Sequence, residues 1–231
     1  MADKINLEIP SNIFQTWHSK NLPVSMFLAI SQIKQTNPRF NYYLFNDEDC
    51  RIFIKNYFDE NILNAYDKLI PGAYKADLWR YCVLYKMGGI YLDIKYVPVN
   101  KFKFRNLLTS EYWVTDADGN GIYNALMVCK AGNQILLNAI NRIVENVKNK
   151  YYGSSFLEPT GPLLLGQYFT NEEKQNSIIK HKMNGPNDFN KIILFKNYPI
   201  LKCFRGYYLV QNKYKIKRHY SELWNERNIY S

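Results

Sequence analysis

Residues 71 to 99 constrain the fold more than any other stretch of the chain. Pro71-Gly72 opens a helical pattern that runs to Met87, and Gly88-Gly89 stops it. Ile90-Tyr91-Leu92 then reads as a buried strand, with Asp93 arriving near its carboxyl end. On a wheel of about 100° per residue, Lys75 and Lys86 mark the solvent stripe of the helix, and Asp77 and Arg80 fall about 160° away from it. They share their face with Ala73, Leu84 and Met87, so a charged pair is turned inward. Burying charge is costly unless the charge is paired or meets a ligand. Two readings stay open: an i,i+3 ion pair that ties the helix to the sheet, or a pair that lines a cleft. Asp93 favours the cleft, because ligands of open α/β sheets bind beyond the carboxyl ends of the strands. A carboxylate there can hold a divalent cation that bridges phosphates, or accept hydrogen bonds from sugar hydroxyls.

Ile13 to Trp17 and Phe40 to Phe45 read as short strands. Between them, Pro23 suits a first helical turn, and Met26, Phe27, Ile30 and Ile33 supply an apolar face. Asn46 or Asp47 caps the next helix. Its acidic run Asp47-Glu48-Asp49 is first-turn charge offsetting the helix dipole rather than a metal cluster. Further strands are expected at Tyr112 to Thr115 and Tyr123 to Cys129, a helix from Gln134 to Val147, and a short helix within Pro162 to Phe169. Asp116 and Asp118 precede Gly119-Asn120-Gly121 and read as turn residues. From Lys191 onward, strand-like pieces alternate with basic residues, with a hairpin expected to turn at Gln211-Asn212. Strands alternating with helices predict an α/β layered domain with a largely parallel central sheet. Without repeats or linker-like segments, residues 1–231 are expected to form one domain.

Composition excludes more than it selects. The 231 residues are 47% hydrophobic and 22% charged, as in ordinary globular proteins. A formal net charge of +10 attracts anionic partners such as nucleotide diphosphates, nucleic acid or acidic lipid head groups. The basic tail Lys213, Lys215, Lys217 and Arg218 would suit nucleic acid, but no RNP-like or helix-turn-helix motif accompanies it. Cys50, Cys82, Cys129 and Cys203 are widely spaced and read as reduced core thiols. Met1 to Pro10 carries Asp3, Lys4 and Glu8 and no apolar leader. No run approaches the roughly 18 apolar residues of a membrane span, so a cytoplasmic protein is expected. Nothing in the sequence indicates an oligomeric state.

At this point the chain resembles a known family. Ala76-Asp77-Leu78-Trp79-Arg80-Tyr81, followed by Leu84-Tyr85-Lys86-Met87-Gly88-Gly89-Ile90-Tyr91-Leu92-Asp93, is similar to the DXD-containing signature of glycosyltransferase family 32. That family includes yeast initiating α-mannosyltransferases, and the signature also resembles the glucosyltransferase domain of clostridial toxins. Ile13-Phe14-Gln15-Thr16-Trp17, Glu158-Pro159-Thr160-Gly161-Pro162 and the segment from His219 to Trp224 resemble the family's outlying segments.

The resemblance implies a GT-A fold, Rossmann-like, and a retaining transferase that moves a hexose from a UDP- or GDP-sugar to a glycan or other hydroxyl acceptor. Carried over by position, Asp77, Arg80 and Asp93 would be catalytic. Trp17, Tyr91 and Trp224 would bind the donor; outside the carry-over, Lys95 is expected to join them, and Asn124, which opens a strand-like run, is expected to meet the acceptor. Asp93 and His219 would hold a divalent cation, Mn²⁺ or Mg²⁺. One position departs from the pattern: Lys95 stands where the family usually has the second Asp. Three arrangements are compatible with it. Asp93 keeps the metal while Lys95 points away, Lys95 itself neutralises the leaving diphosphate, or the chain is catalytically impaired and binds a glycan or partner. The first is favoured.

Overall fold

The computed structural model describes residues 8–183, 191–214 and 218–231, so Asp3, Lys4, Lys215 and Lys217 lie outside the described residues. The chain opens with β1 (Asn12–Thr16), α1 (Val24–Thr36) and β2 (Asn41–Phe45). Three helices follow, α2 (Asp47–Tyr57), α3 (Glu60–Lys68) and α4 (Gly72–Met87), then β3 (Gly89–Leu92) and β4 (Tyr96–Pro98). The second half comprises β5 (Tyr112–Thr115), β6 (Ile122–Cys129), α5 (Gln134–Lys148), α6 (Pro162–Gly166), α7 (Asn171–Gln175) and β7 (Ile179–Met183). It closes with β8 (Lys191–Phe195), β9 (Tyr198–Cys203), α8 (Tyr207–Lys213) and α9 (Tyr220–Asn225).

Local chemistry sets several boundaries. Asn46 and Asp49 form a reciprocal capping box at the start of α2, so the acidic run serves the helix terminus as expected. Gly88 takes φ 61° at the end of α4 while its N–H bonds to the Leu84 carbonyl. Gly89 takes φ 122°, and a Cβ there would sit 2.8 Å from Asn12 Cβ and from the Asn12 carbonyl oxygen. Only glycine allows β3 to leave α4 and lie against β1.

The strands form one sheet in the order β2-β1-β3-β6-β5-β7-β8-β9-β4. Parallel pairing joins β1 to β2, β1 to β3 and β5 to β7; the other neighbours are antiparallel. The α/β architecture is as expected, but the sheet is mixed, with less parallel pairing than the sequence suggested. Parallel neighbours need crossover helices, and the second half joins β5 to β6 and β8 to β9 by short turns instead.

Six strand spacings separate β3 from β4 in that order, about 29 Å if the sheet were flat. The three residues between them, Asp93 to Lys95, bridge at most about 14 Å. The sheet therefore curls, bringing its β7-β8-β9 end around toward the carboxyl end of β3. One face packs on α2 to α5 through residues such as Trp79, Tyr91 and Met127; Ile90, Leu92 and Leu126 point into the core on the other face. All four cysteines are buried and free.

Some elements differ from expectation. Phe27 is 60% exposed, and α1 buries Met26, Ala29, Ile30 and Ile33 instead. The hairpin expected at Gln211-Asn212 is the helix α8, entered through Gly206 in a left-handed conformation. The hairpin lies upstream, between β8 and β9, where Lys196 and Asn197 both have positive φ. No helix among the described residues is long and apolar enough to cross a membrane.

Candidate active site

α4 is buried along most of its length, and Asp77 and Arg80 are each only 7% exposed. Arg80 is the hub of the group. Its Nη1 donates to the Asn124 carbonyl at 2.8 Å and to Asp93 Oδ1 at 3.3 Å, and its Nε donates to the Ala76 carbonyl at 3.1 Å. Nη2 lies 3.4 Å from Asp77 Oδ1, and the guanidinium sits over the Tyr91 ring at 4.4 Å. A planar fork can meet several acceptors at once, which a lysine in its place could not.

Asp77 is held from three sides. Asn124 Nδ2 donates to Oδ1 at 2.8 Å, Thr160 Oγ1 donates to Oδ2 at 2.7 Å, and Arg80 approaches Oδ1. Asp93 follows β3, where its N–H bonds to Ala125 of the antiparallel neighbour β6. The same pairing sets the start of β6, and with it Tyr123 and Asn124, beside the carboxyl end of β3. Tyr91 Oη donates to Asp93 Oδ1 at 2.8 Å, and Lys95 Nζ donates to Oδ2 at 2.7 Å. Lys95 lies 5.4 Å from the centres of both the Tyr96 and Tyr123 rings.

Asp77, Arg80, Asp93, Lys95 and Asn124 all line a cleft of about 660 Å³. The buried charges thus meet an opening rather than only one another. Tyr74, Tyr123, Gly161, His181, Tyr207 and Tyr220 add to the walls, with Asp116 and Asp118 among the lining residues. Tyr123 and His181 stack with ring centres 3.9 Å apart.

The environment separates the two carboxylates. Burial pushes the Asp77 carboxyl up to about 6, against the opposing pull of Arg80 and Thr160. Burial acts in the same direction on Asp93, but Lys95 and Arg80 outweigh it and hold that carboxyl below the usual range. Burial works against the Lys95 charge, yet Asp93 more than compensates and raises it well above the ordinary lysine value. Asp93 and Lys95 therefore face the cleft as a fixed ion pair.

The tertiary arrangement does not gather every residue singled out from sequence. Trp17 packs beside Met26, Ile94 and Tyr207 and is not a wall of the cleft. Trp224 donates its indole N–H to the Tyr152 carbonyl at 2.6 Å, also away from the walls. Tyr91 is buried beneath Arg80 and Asp93 and supports both. Asn124 lines the cleft and directs its amide at Asp77 and Tyr81, so it positions a carboxylate. From the C-terminal segment the cleft receives Tyr220. Tyr123, His181 and Tyr207 were missed because they come from β6, β7 and α8, which only the curl of the sheet brings together.

Residues 23–114 match the family described as glycosyltransferase sugar-binding region containing DXD motif. Over that span the chain is similar to the DXD glycosyltransferases. The chain is 32% identical over 158 residues to inositol phosphoceramide mannosyltransferase 3 of Schizosaccharomyces pombe, covering 68% of this chain and 44% of that protein. It is 30% identical over 102 residues to the initiation-specific alpha-1,6-mannosyltransferase of Candida albicans, covering 40% of this chain and 26% of that protein. The chain thus spans less than half the length of these relatives. Its fold is that of the solved PaToxG glycosyltransferase, with a TM-score of 0.55 at 18% identity, over 73% of this chain and 69% of the other. The GT-A expectation holds.

A DXD motif supplies two carboxylates one residue apart, and Asp93-Ile94-Lys95 supplies one. Both oxygens of Asp93 already accept, Oδ1 from Tyr91 and Arg80 and Oδ2 from Lys95. Oδ1 has both lone pairs taken, and a divalent cation on the remaining lone pair of Oδ2 would sit beside an ammonium that repels it. His219, expected as a second ligand, caps α9 through a Nδ1 contact with the Ser221 N–H, is exposed, and does not line the cleft. Among the described residues no three His, Cys, Asp or Glu side chains form a metal-binding group. The expected Mn²⁺ or Mg²⁺ site at Asp93 and His219 does not fit the residues present.

Proposed function

We propose that the chain acts as a single GT-A unit, a retaining glycosyltransferase that moves a hexose from a UDP- or GDP-sugar to a hydroxyl of a glycan or other acceptor. Mannose is the first candidate sugar, because it is the sugar named for the fungal relatives. The observation that carries the reading is the convergence of Arg80, Lys95, Asp77 and Asp93 on one cleft at the carboxyl end of β3. Departure of a nucleoside diphosphate builds negative charge on phosphate oxygens, and fixed cations lower the barrier to it. Asp77 Oδ2 accepts from Thr160 and retains a second lone pair for a sugar hydroxyl. The stacked Tyr123 and His181 rings offer a flat face for a base or sugar ring. Retention rests on the family resemblance.

The test is a panel of UDP- and GDP-sugars, with thermal shift for binding and release of free nucleotide for turnover. Stabilisation by at least one donor together with its hydrolysis supports the reading. No response to any donor removes it. A second reading, donor binding without transfer, is favoured by the direct bond between Lys95 and Asp93. It would appear as stabilisation with no turnover, even with acceptor sugars present.

A further inference from the structure

We propose that the ammonium of Lys95 takes the place of the divalent cation, so that this chain binds and uses its nucleotide donor without metal. The proposal rests on the nucleotide-sugar reading above and goes beyond it by naming what neutralises the diphosphate.

The side chain of Lys95 is 14% exposed and opens onto the cleft, so its charge is held at the site rather than dissipated in solvent. An ammonium carries three N–H donors, and Asp93 Oδ2 takes one at 2.7 Å. The rings of Tyr96 and Tyr123, each 5.4 Å from Nζ, fix the side chain from two sides. Tyr96 is itself buried and shares a 3.0 Å hydroxyl contact with Tyr123. The position is therefore built, with the amine directed by an anion and enclosed by aromatic faces. The remaining donor directions of the amine serve phosphate oxygens entering the cleft.

Charge arithmetic agrees with this assignment. In a two-carboxylate motif, a divalent cation offsets two negative side chains and leaves the site neutral before the diphosphate arrives. Here one carboxylate faces one lysine, again leaving a neutral pair, and Arg80 lies 3.3 Å away on the other oxygen of Asp93. A cation added to this arrangement would find Oδ1 of Asp93 filled by Arg80 and Tyr91, and on Oδ2 it would lie against the Lys95 ammonium. The substitution of lysine for the second carboxylate thus removes the ligand and supplies the charge in one step.

The experiment titrates GDP and UDP into the protein by calorimetry, in EDTA and in Mn²⁺, while electron paramagnetic resonance counts bound Mn²⁺. The wild-type chain should bind one of the nucleotides with the same affinity in both buffers and should retain no Mn²⁺. Lys95→Gln should weaken that nucleotide by about tenfold or more, with no rescue by Mn²⁺. Lys95→Asp should lose binding in EDTA and regain it in Mn²⁺, with one bound ion in the spectrum. Wild-type binding that requires Mn²⁺, or a stoichiometric Mn²⁺ signal in the wild-type complex, overturns the proposal and leaves the donor reading intact. Failure of both nucleotides in both buffers overturns the donor reading, and this proposal with it.

Discussion

Thr160 and Asp77, 83 residues apart in the chain, meet at 2.7 Å in the interior, the threonine hydroxyl donating to Oδ2 of the carboxylate. Tyr81, one turn along α4, donates its hydroxyl to the Thr160 carbonyl at 3.0 Å. The turn before α6 is thereby locked to the helix that carries the charged pair. Gly161 follows Thr160, and a Cβ there would sit 3.4 Å from Asp77 Oδ2, so the glycine keeps that oxygen open to the cleft.

Thr160→Val keeps the shape of the side chain and removes its hydroxyl. A buried carboxylate oxygen then loses a donor, which costs about 1–3 kcal/mol. Urea unfolding should register that loss, and the Michaelis constant for the donor should rise as Asp77 becomes less fixed. An unchanged midpoint would mean that the hydroxyl contact contributes nothing.

The pH dependence of Asp77 separates activity from stability. Its carboxyl titrates at about 6 in the folded chain and near its ordinary value of 3.8 when unfolded. Between those values the folded state binds the extra proton, so the Asp77 contribution favours folding as pH falls from about 6 toward 4. Activity that needs the ionised carboxylate should run the opposite way, with an acid limb near pH 6 in kcat/KM. Asp116 is also pushed up to about 6 by burial and by Asp118, so comparison with Asp77→Asn is what assigns the effect. The variant should flatten its part of the stability profile and lower turnover roughly 100-fold.

Arg80→Met leaves Asp77 and Asp93 without their shared cation. Breaking a buried pair from one side costs about 3–5 kcal/mol, and both thermal and urea midpoints should fall accordingly. Arg80→Lys should recover only part of this, because a single amine cannot reach the Asn124 carbonyl, the Ala76 carbonyl and both carboxylates together. Full recovery by lysine would show that charge alone matters at this position.

Gly89→Ala tests the turn that sets β3. The substitution forces a side chain into φ 122° and against Asn12, with about 1–3 kcal/mol of backbone strain before the clash is counted. Stability should fall by at least that much, and donor turnover should fall with it because Asp93 depends on the register of β3 with β6. Turnover unchanged despite lost stability would detach the site from the strand.

Much of the site was legible because its signals are local. The period of α4 puts Asp77 and Arg80 on one face, and the paired glycines deliver β3 and then Asp93 directly after it. The capping box of α2 was equally readable, since its partners lie three residues apart. The hairpin was misplaced because Gln211-Asn212 has turn composition but sits in α8, where Tyr207 anchors the segment in the core. Trp17 and Trp224 were assigned by position along the chain, which carries no record of which way each ring faces after packing.

The sequence by itself determined the helix-turn-strand unit, the inward pair Asp77 and Arg80, the exchange of a carboxylate for Lys95, and the class of fold. Those follow from interactions within about 20 residues, where periodicity and turn chemistry leave few alternatives. Tertiary structure alone decided that Thr160 and Asn124 brace Asp77 and that His219 stays away from the cleft. Those outcomes depend on the curl of a mixed sheet. Its strand pairings join distant segments, and no local pattern records which edge will meet which.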